Sequence, residues 1–142
     1  MISIQKFTFE NKILREKAFA IRHEVFVIGQ DCPKELEYEF EEESTHFLLF
    51  EDEVALATAR HRRTEKGFKL ERFAVLELAR GKGYGMQILQ AILHDLKDEK
   101  ELKYMHAQQQ VIPFYEKVGF EKVGNLFEEA GIMHYKMKFV RD

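Results

Sequence analysis

The stretch Ala79-Arg80-Gly81-Lys82-Gly83-Tyr84-Gly85-Met86 sets three glycines and two cations at the mouth of a helical pattern. Glycine lets the backbone bend sharply and lets a ligand come close to it. The first N–H groups of a helix have no partner inside it, and the helix dipole adds positive potential there. Arg80 and Lys82 add formal charge. This combination supports anion binding, and phosphate suits it best. A Walker A loop needs Ser or Thr after Gly-Lys, but Gly83 follows Lys82. A dinucleotide fingerprint needs glycine at position 86 or 88, where Met86 and Ile88 stand. The bland alternative for this turn alone is a strand-to-helix connection that holds nothing.

The arrangement Val75-x-x-x-x-Arg80-Gly81-x-Gly83-x-Gly85 resembles the coenzyme A pyrophosphate loop of the GNAT acyltransferases. Farther along, Phe114-Tyr115-Glu116-Lys117-Val118-Gly119-Phe120 resembles that superfamily's second hallmark, FYxKxGF. The two motifs together are far more specific than either alone. A narrower resemblance, to the ElaA-like group, runs through Arg22-His23-Glu24-Val25-Phe26-Val27, Gln30, Pro33, His46, Lys69-Leu70-Glu71-Arg72, Ala107-Gln108 and Ala130-Gly131-Ile132-Met133-His134. One departure is Gly29, where members of that group often carry Glu before the Gln.

The resemblance implies transfer of an acyl group, usually acetyl, from coenzyme A to an amine of a small molecule or protein. It implies that the backbone of Phe73, Ala74 and Val75 binds the pantetheine arm. The backbone from Arg80 through Gly81, Lys82, Gly83, Tyr84 and Gly85 to Met86 would wrap the pyrophosphate. Gln108 and Phe114 would also face the cofactor. Lys117 is read either as a contact to its nucleotide end or as a solvent-facing charge. The rival function is an acyl-CoA-binding regulatory or interaction module without turnover.

Such a transfer needs a neutral amine, a destination for its proton, and a donor for the departing thiolate. Tyr115 suits the donor, because phenol and thiol pKa values lie within about two units. Its alternative is to pack against the cofactor and orient the sulfur. For the base, a period of two places Glu71 on one strand face with Phe73 and Val75. The other reading of Glu71 is an ion pair with Arg60 or Arg72. His134 and His106 are further candidates, since histidine is the residue type suited to proton transfer near neutral pH, and either can also be structural. Water can take the proton without a dedicated base.

These groups must be positioned by an alternation of strands and helices. Ser3 to Phe9 alternates as a strand. Leu14, Ala18, Ile21 and Val25 recur at helical spacing after the capping residue Asn11, predicting a helix to about Ile28. Strands are predicted over Thr45–Phe50, Val54–Arg62 and Phe68–Leu76, the last apolar on both faces and therefore central. A helix over Gly83–Lys97, a strand over Lys103–Gln108 and a short helix over Val111–Val118 follow. Phe120–Phe127 and Ile132–Val140 close the chain as a hairpin. The order β-α-β-β-β-α-β-α-β-β predicts one α/β domain over residues 1–142, a GNAT-type mixed twisted sheet flanked by helices.

The bulk properties fit an ordinary enzyme-sized domain. The chain has 142 residues and a net charge of −3, from 22 Lys and Arg against 25 Asp and Glu. That balance argues against a nucleic-acid binder. No apolar run reaches membrane-spanning length, and the first residues lack the apolar block of a signal peptide. A single cysteine, Cys32, rules out an internal disulfide and suits a reducing cytoplasm. The six histidines have no metal-ligand spacing, so no metal is expected. A homodimer is common in the superfamily. The run from Glu35 to Glu43, with six glutamates in nine residues, is read as a solvated loop; attraction of a cationic acceptor is its functional alternative.

Overall fold

The structure is a computed structural model that describes residues 1–29 and 39–140. Gln30, Cys32, Pro33 and the first part of the acidic run lie outside the described residues.

The chain runs β1 (Ile2–Phe7), α1 (Lys12–Arg22), a π-helical turn (His23–Ile28), β2 (Ser44–Glu51), β3 (Val54–Thr64) and β4 (Gly67–Val75). It continues with α2 (Tyr84–Asp95), β5 (Lys103–Gln108), α3 (Ile112–Val118), β6 (Phe120–Glu129) and β7 (Ile132–Phe139). Short 3-10 turns precede α2 and α3, at Glu77–Ala79 and Gln109–Val111. The predicted order of strands and α-helices is the observed one. Asn11 caps α1, its side chain accepting from Leu14 N at 3.1 Å.

The seven strands form one mixed sheet, ordered β1-β2-β3-β4-β5-β7-β6. β4 and β5 form its parallel pair, and they meet at only two positions, Phe68 with Lys103 and Lys69 with Tyr104. Beyond these the two strands diverge. A bulge in β4 bends the strand on its other side: Thr58 pairs with Ala74 and Arg60 with Glu71, so Arg72 and Phe73 together face Ala59. Arg72 takes φ of 59° to make this bulge, and such bulges re-aim side chains and end pairing.

The bulge corrects one sequence expectation. Thr58 and Arg60 are two apart on β3 and share a face, so their partners Ala74 and Glu71 share it too. Glu71 therefore does not share a face with Phe73 and Val75. Phe73 and Val75 pack with α2, α3 and Tyr115, in a core that includes Leu70, Ile88, Leu89, Met105 and Met137. Ala74 packs in a second core against α1, with Phe7, Ala18, Ile21, Leu48 and Phe50.

The helix predicted from Asn11 to Ile28 is α-helical only to Arg22. It then widens, with Gly29 N donating to Glu24 O at 3.0 Å. This π turn shifts the helical phase and carries Val25 and Phe26 to the cleft between β4 and β5.

The start of β4 is held by close backbone contact. Phe68 N donates to Leu102 O at 2.8 Å, and a Cβ on Gly67 (φ +133°) would lie 2.2 Å from that carbonyl oxygen. We therefore expect Gly67→Ala to lower stability by about 1–3 kcal/mol in denaturant unfolding. An unchanged midpoint would show that the close approach of Leu102 to Gly67 is dispensable.

Candidate active site

The divergence of β4 and β5 opens a cleft of about 440 Å³ that reaches both faces of the sheet. The sequence-derived candidates divide between those faces.

On the α2 and α3 face, Gly81 and Gly83 have φ of +84° and +80°, and a Cβ on either would meet no protein atom within 4 Å. Gly83 is the N-cap of α2, whose first turn has no side-chain cap. The turn is thus bent as only glycine does easily, open on its outer side, and rich in free N–H groups. The Arg80 side chain folds back, donating from Nε to Val75 O at 3.2 Å, while Lys82 is exposed. Gly85 keeps negative φ, and its Cβ position lies 3.8 Å from Val75 Cγ2. The Tyr84 ring points inward to the core and its hydroxyl bonds the Glu51 carboxylate, so only its backbone faces the turn. Met86 is half-buried in the same helical turn.

Tyr115 lines the cleft from α3 and is 7% exposed. Its ring meets Phe73 at 6.0 Å, Phe114 at 5.1 Å and Phe120 at 6.0 Å. Burial pushes its phenol above the ordinary range. The hydroxyl therefore stays protonated at neutral pH and can donate a hydrogen bond. Lys117, two residues on, is exposed and outside the cleft lining.

On the α1 face, Glu71 sits in a buried ionic network. Arg60 donates to it through Nε at 2.7 Å and also through Nη2, and Arg62 Nε lies 3.1 Å away. Lys69 Nζ is 3.4 Å from its other oxygen. Burial alone would raise the carboxyl pKa, but Arg60, Lys69, Arg62 and Arg72 outweigh it and hold it at about 2. Burial pulls Arg60 the other way, below its usual value, yet an arginine between two glutamates stays charged. Glu71 makes the ion pair that was one of its two expected roles, and a carboxylate held so acidic is a weak base.

The network continues through Glu41, which binds Arg60 Nη1 at 2.5 Å and Arg22 through Nη1 at 3.0 Å and Nη2 at 2.5 Å. Arg22 and Arg60 are each 1% exposed and Glu41 7%. The expectation of a solvated acidic loop fails at Glu41, because two buried guanidinium groups need a buried counter-charge. Burial also lowers the pKa of His46, whose Nε2 meets Glu41 O at 3.2 Å.

Across the cleft on this face stand His106 and Gln108 of β5, Glu129 of β6 and His134 of β7. Gln108 pairs with His134, and His134 with Phe127, so these residues share one face. His134 Nδ1 meets Ile132 O at 2.7 Å and its ring stacks on Phe127 at 5.9 Å. His106 Nδ1 meets Glu129 Oε1 at 3.0 Å, and His134 Nε2 lies 3.9 Å from Glu129 Oε2. The His106 hydrogen bond lowers the Glu129 pKa most.

Residues 10–141 match the acetyltransferase (GNAT) domain family. The chain belongs to that family. A relative in Bacillus subtilis, the uncharacterized N-acetyltransferase YjcF, is 35% identical over 131 residues, covering 90% of this chain and 94% of YjcF. Two solved structures share the GNAT fold, each at 24% identity over 99% of this chain and 100% of the other. They are Escherichia coli ElaA, with a TM-score of 0.88, and an acyl-CoA N-acyltransferase from Pseudomonas aeruginosa, with 0.87. In this GNAT chain the glycine turn and Tyr115 thus lie on one face of the sheet, and Glu71 and His134 on the other. The cleft joins them. Val25, Phe26 and Glu129 were not legible as site residues: the first two arrive through a change of helical phase, and Glu129 through hairpin register. No helix among the described residues is long and apolar enough to cross a membrane.

Proposed function

We propose that this GNAT chain transfers an acetyl group from acetyl-CoA to a primary amine by direct attack on the thioester, in a reducing cytoplasm that suits Cys32. The observation that carries this reading is the cleft itself. It runs from Val75, Arg80 and Tyr115, which flank the uncapped, glycine-bent N-terminus of α2 on one face, to a polar, titratable wall on the other.

Acetyl-CoA is the substrate these residues fit. The N–H groups from Gly81 to Met86 would receive the pyrophosphate. The edge of β4 from Leu70 to Val75, left unpaired by β5, offers backbone donors and acceptors to the pantetheine amides. One backbone N–H near Val75 would stabilise the developing oxyanion. Tyr115 donates a hydrogen bond to the sulfur as the C–S bond breaks. Gln108 and Phe114 border the thioester end. The amine enters from the α1 face, where His134, free of the ion pairs that lock Glu71, takes its proton at Nε2.

The deciding experiment is calorimetric titration with acetyl-CoA of the wild type and of a Gly81→Val, Gly83→Val variant, with folding checked by circular dichroism. Valine at positive φ must straighten the turn, so affinity should fall at least tenfold in a folded variant. A wild type that binds no acetyl-CoA would sink the reading.

A further inference from the structure

The wall opposite Glu71 contains more than one histidine, and its geometry is specific. The β6–β7 turn, Ala130-Gly131, has φ of 52° and 79°, a two-residue hairpin turn that fixes Glu129 opposite Ile132. That register brings the Glu129 carboxylate between two rings. A backbone carbonyl accepts only, so the 2.7 Å contact to Ile132 O requires the proton of neutral His134 to sit on Nδ1. Nε2 is then the bare nitrogen, with Glu129 Oε2 3.9 Å away. The other carboxylate oxygen is held by His106 Nδ1 at 3.0 Å. The Glu129 side chain is 41% exposed, so the group also touches solvent.

We propose that Glu129, held by His106, is a positioning residue that stabilises the protonated form of His134 and passes its proton out of the cleft. This deepens, and rests on, the acetyltransfer reading. In the step, an ammonium acceptor loses one proton to Nε2 of His134. The neutral amine attacks the thioester carbonyl carbon, the C–N bond forms and the C–S bond breaks. The second nitrogen proton leaves to solvent, and the thiolate, hydrogen-bonded by Tyr115, takes one proton from solvent. One proton is released per turnover. The imidazolium is paired by Glu129 and passes its proton to solvent through that half-exposed carboxylate, restoring the bare Nε2. The charged groups facing this site are Lys69, Glu71 and Arg72 from β4, His106 from β5, Glu129 from β6 and, from β7, Lys136, which pairs with His106.

The test compares wild type, Glu129→Gln, Glu129→Asp and His106→Gln. It uses acetyl-CoA with spermidine, tyramine and lysine methyl ester as probe amines, and follows kcat and KM from about pH 5.5 to 9, a range that spans imidazole titration. Glu129→Gln should lower kcat about tenfold and move the acid limb of the profile to lower pH by about half a unit or more, because the imidazolium loses its counter-charge. Affinity for acetyl-CoA by calorimetry should not change. Glu129→Asp should recover most of the rate, and His106→Gln should show a smaller effect in the same direction. In two-bond nitrogen–proton NMR spectra, neutral His134 should appear as the Nδ1–H tautomer. An unmoved pH profile in Glu129→Gln, or an Nε2–H tautomer, overturns the relay while leaving acetyltransfer intact. A wild type that binds acetyl-CoA but acetylates none of the probes overturns transfer and relay together.

Discussion

Arg60→Met should lower the unfolding free energy by about 3–5 kcal/mol, because it leaves two buried carboxylates short of their shared cation. Arg60 is 1% exposed and bridges Glu41 to Glu71, while Arg22 serves Glu41 from α1. The loss should appear as a lower denaturant midpoint with unchanged slope. Adding Glu71→Leu to Arg60→Met should recover part of it, since an apolar pair can replace a buried ion pair more cheaply than half of one can stand. A double variant no more stable than the single one would refute this account. The same network sets the acid response. Glu71 has a folded pKa of about 2, below its ordinary 4.5. A depressed carboxyl contributes stability that is fully present above the unfolded value and lost as pH falls toward the folded one. The contribution is on the order of 3 kcal/mol. Thermal midpoints should therefore hold down to about pH 5 and fall between there and pH 2, and Glu71→Gln should flatten that fall.

Tyr115→Phe should reduce kcat by about two to three orders of magnitude, with acetyl-CoA affinity nearly unchanged. The ring contacts to Phe73, Phe114 and Phe120 survive the substitution, so the packing of α3 on the cleft is retained. What is lost is one hydroxyl donor on a buried ring. Burial holds that hydroxyl protonated, so the wild-type rate should show no alkaline limb from Tyr115 below about pH 10. Steady-state kinetics with any accepted amine, beside calorimetry, measures both quantities. A Phe variant with wild-type kcat would assign Tyr115 to packing alone.

The positions of the glycine turn and of Tyr115 relative to the sheet follow from local chemistry, which a sequence carries. Gly81 and Gly83 announce positive φ, Asn11 announces a helix start, and the doubly apolar end of β4 announces a central strand. The order of strands and α-helices and the family resemblance were legible for that reason. What sequence periodicity could not supply was any consequence of an interrupted period. The bulge at Arg72 adds one residue to β4 and moves Glu71 to the α1 face, where it lines the cleft as a partner of Arg60 and no longer shares a face with Phe73 and Val75. The π turn after Arg22 does the same to helical phase and places Val25 and Phe26 at the cleft. Glu41 looked like one of many solvated glutamates until α1 and β3 brought two buried arginines to it. Glu129 met His106 and His134 only through pairing of β5, β7 and β6. Local conformational preference is written residue by residue. Which charges meet is decided by the sheet register and by what must be neutralised once the chain has excluded water.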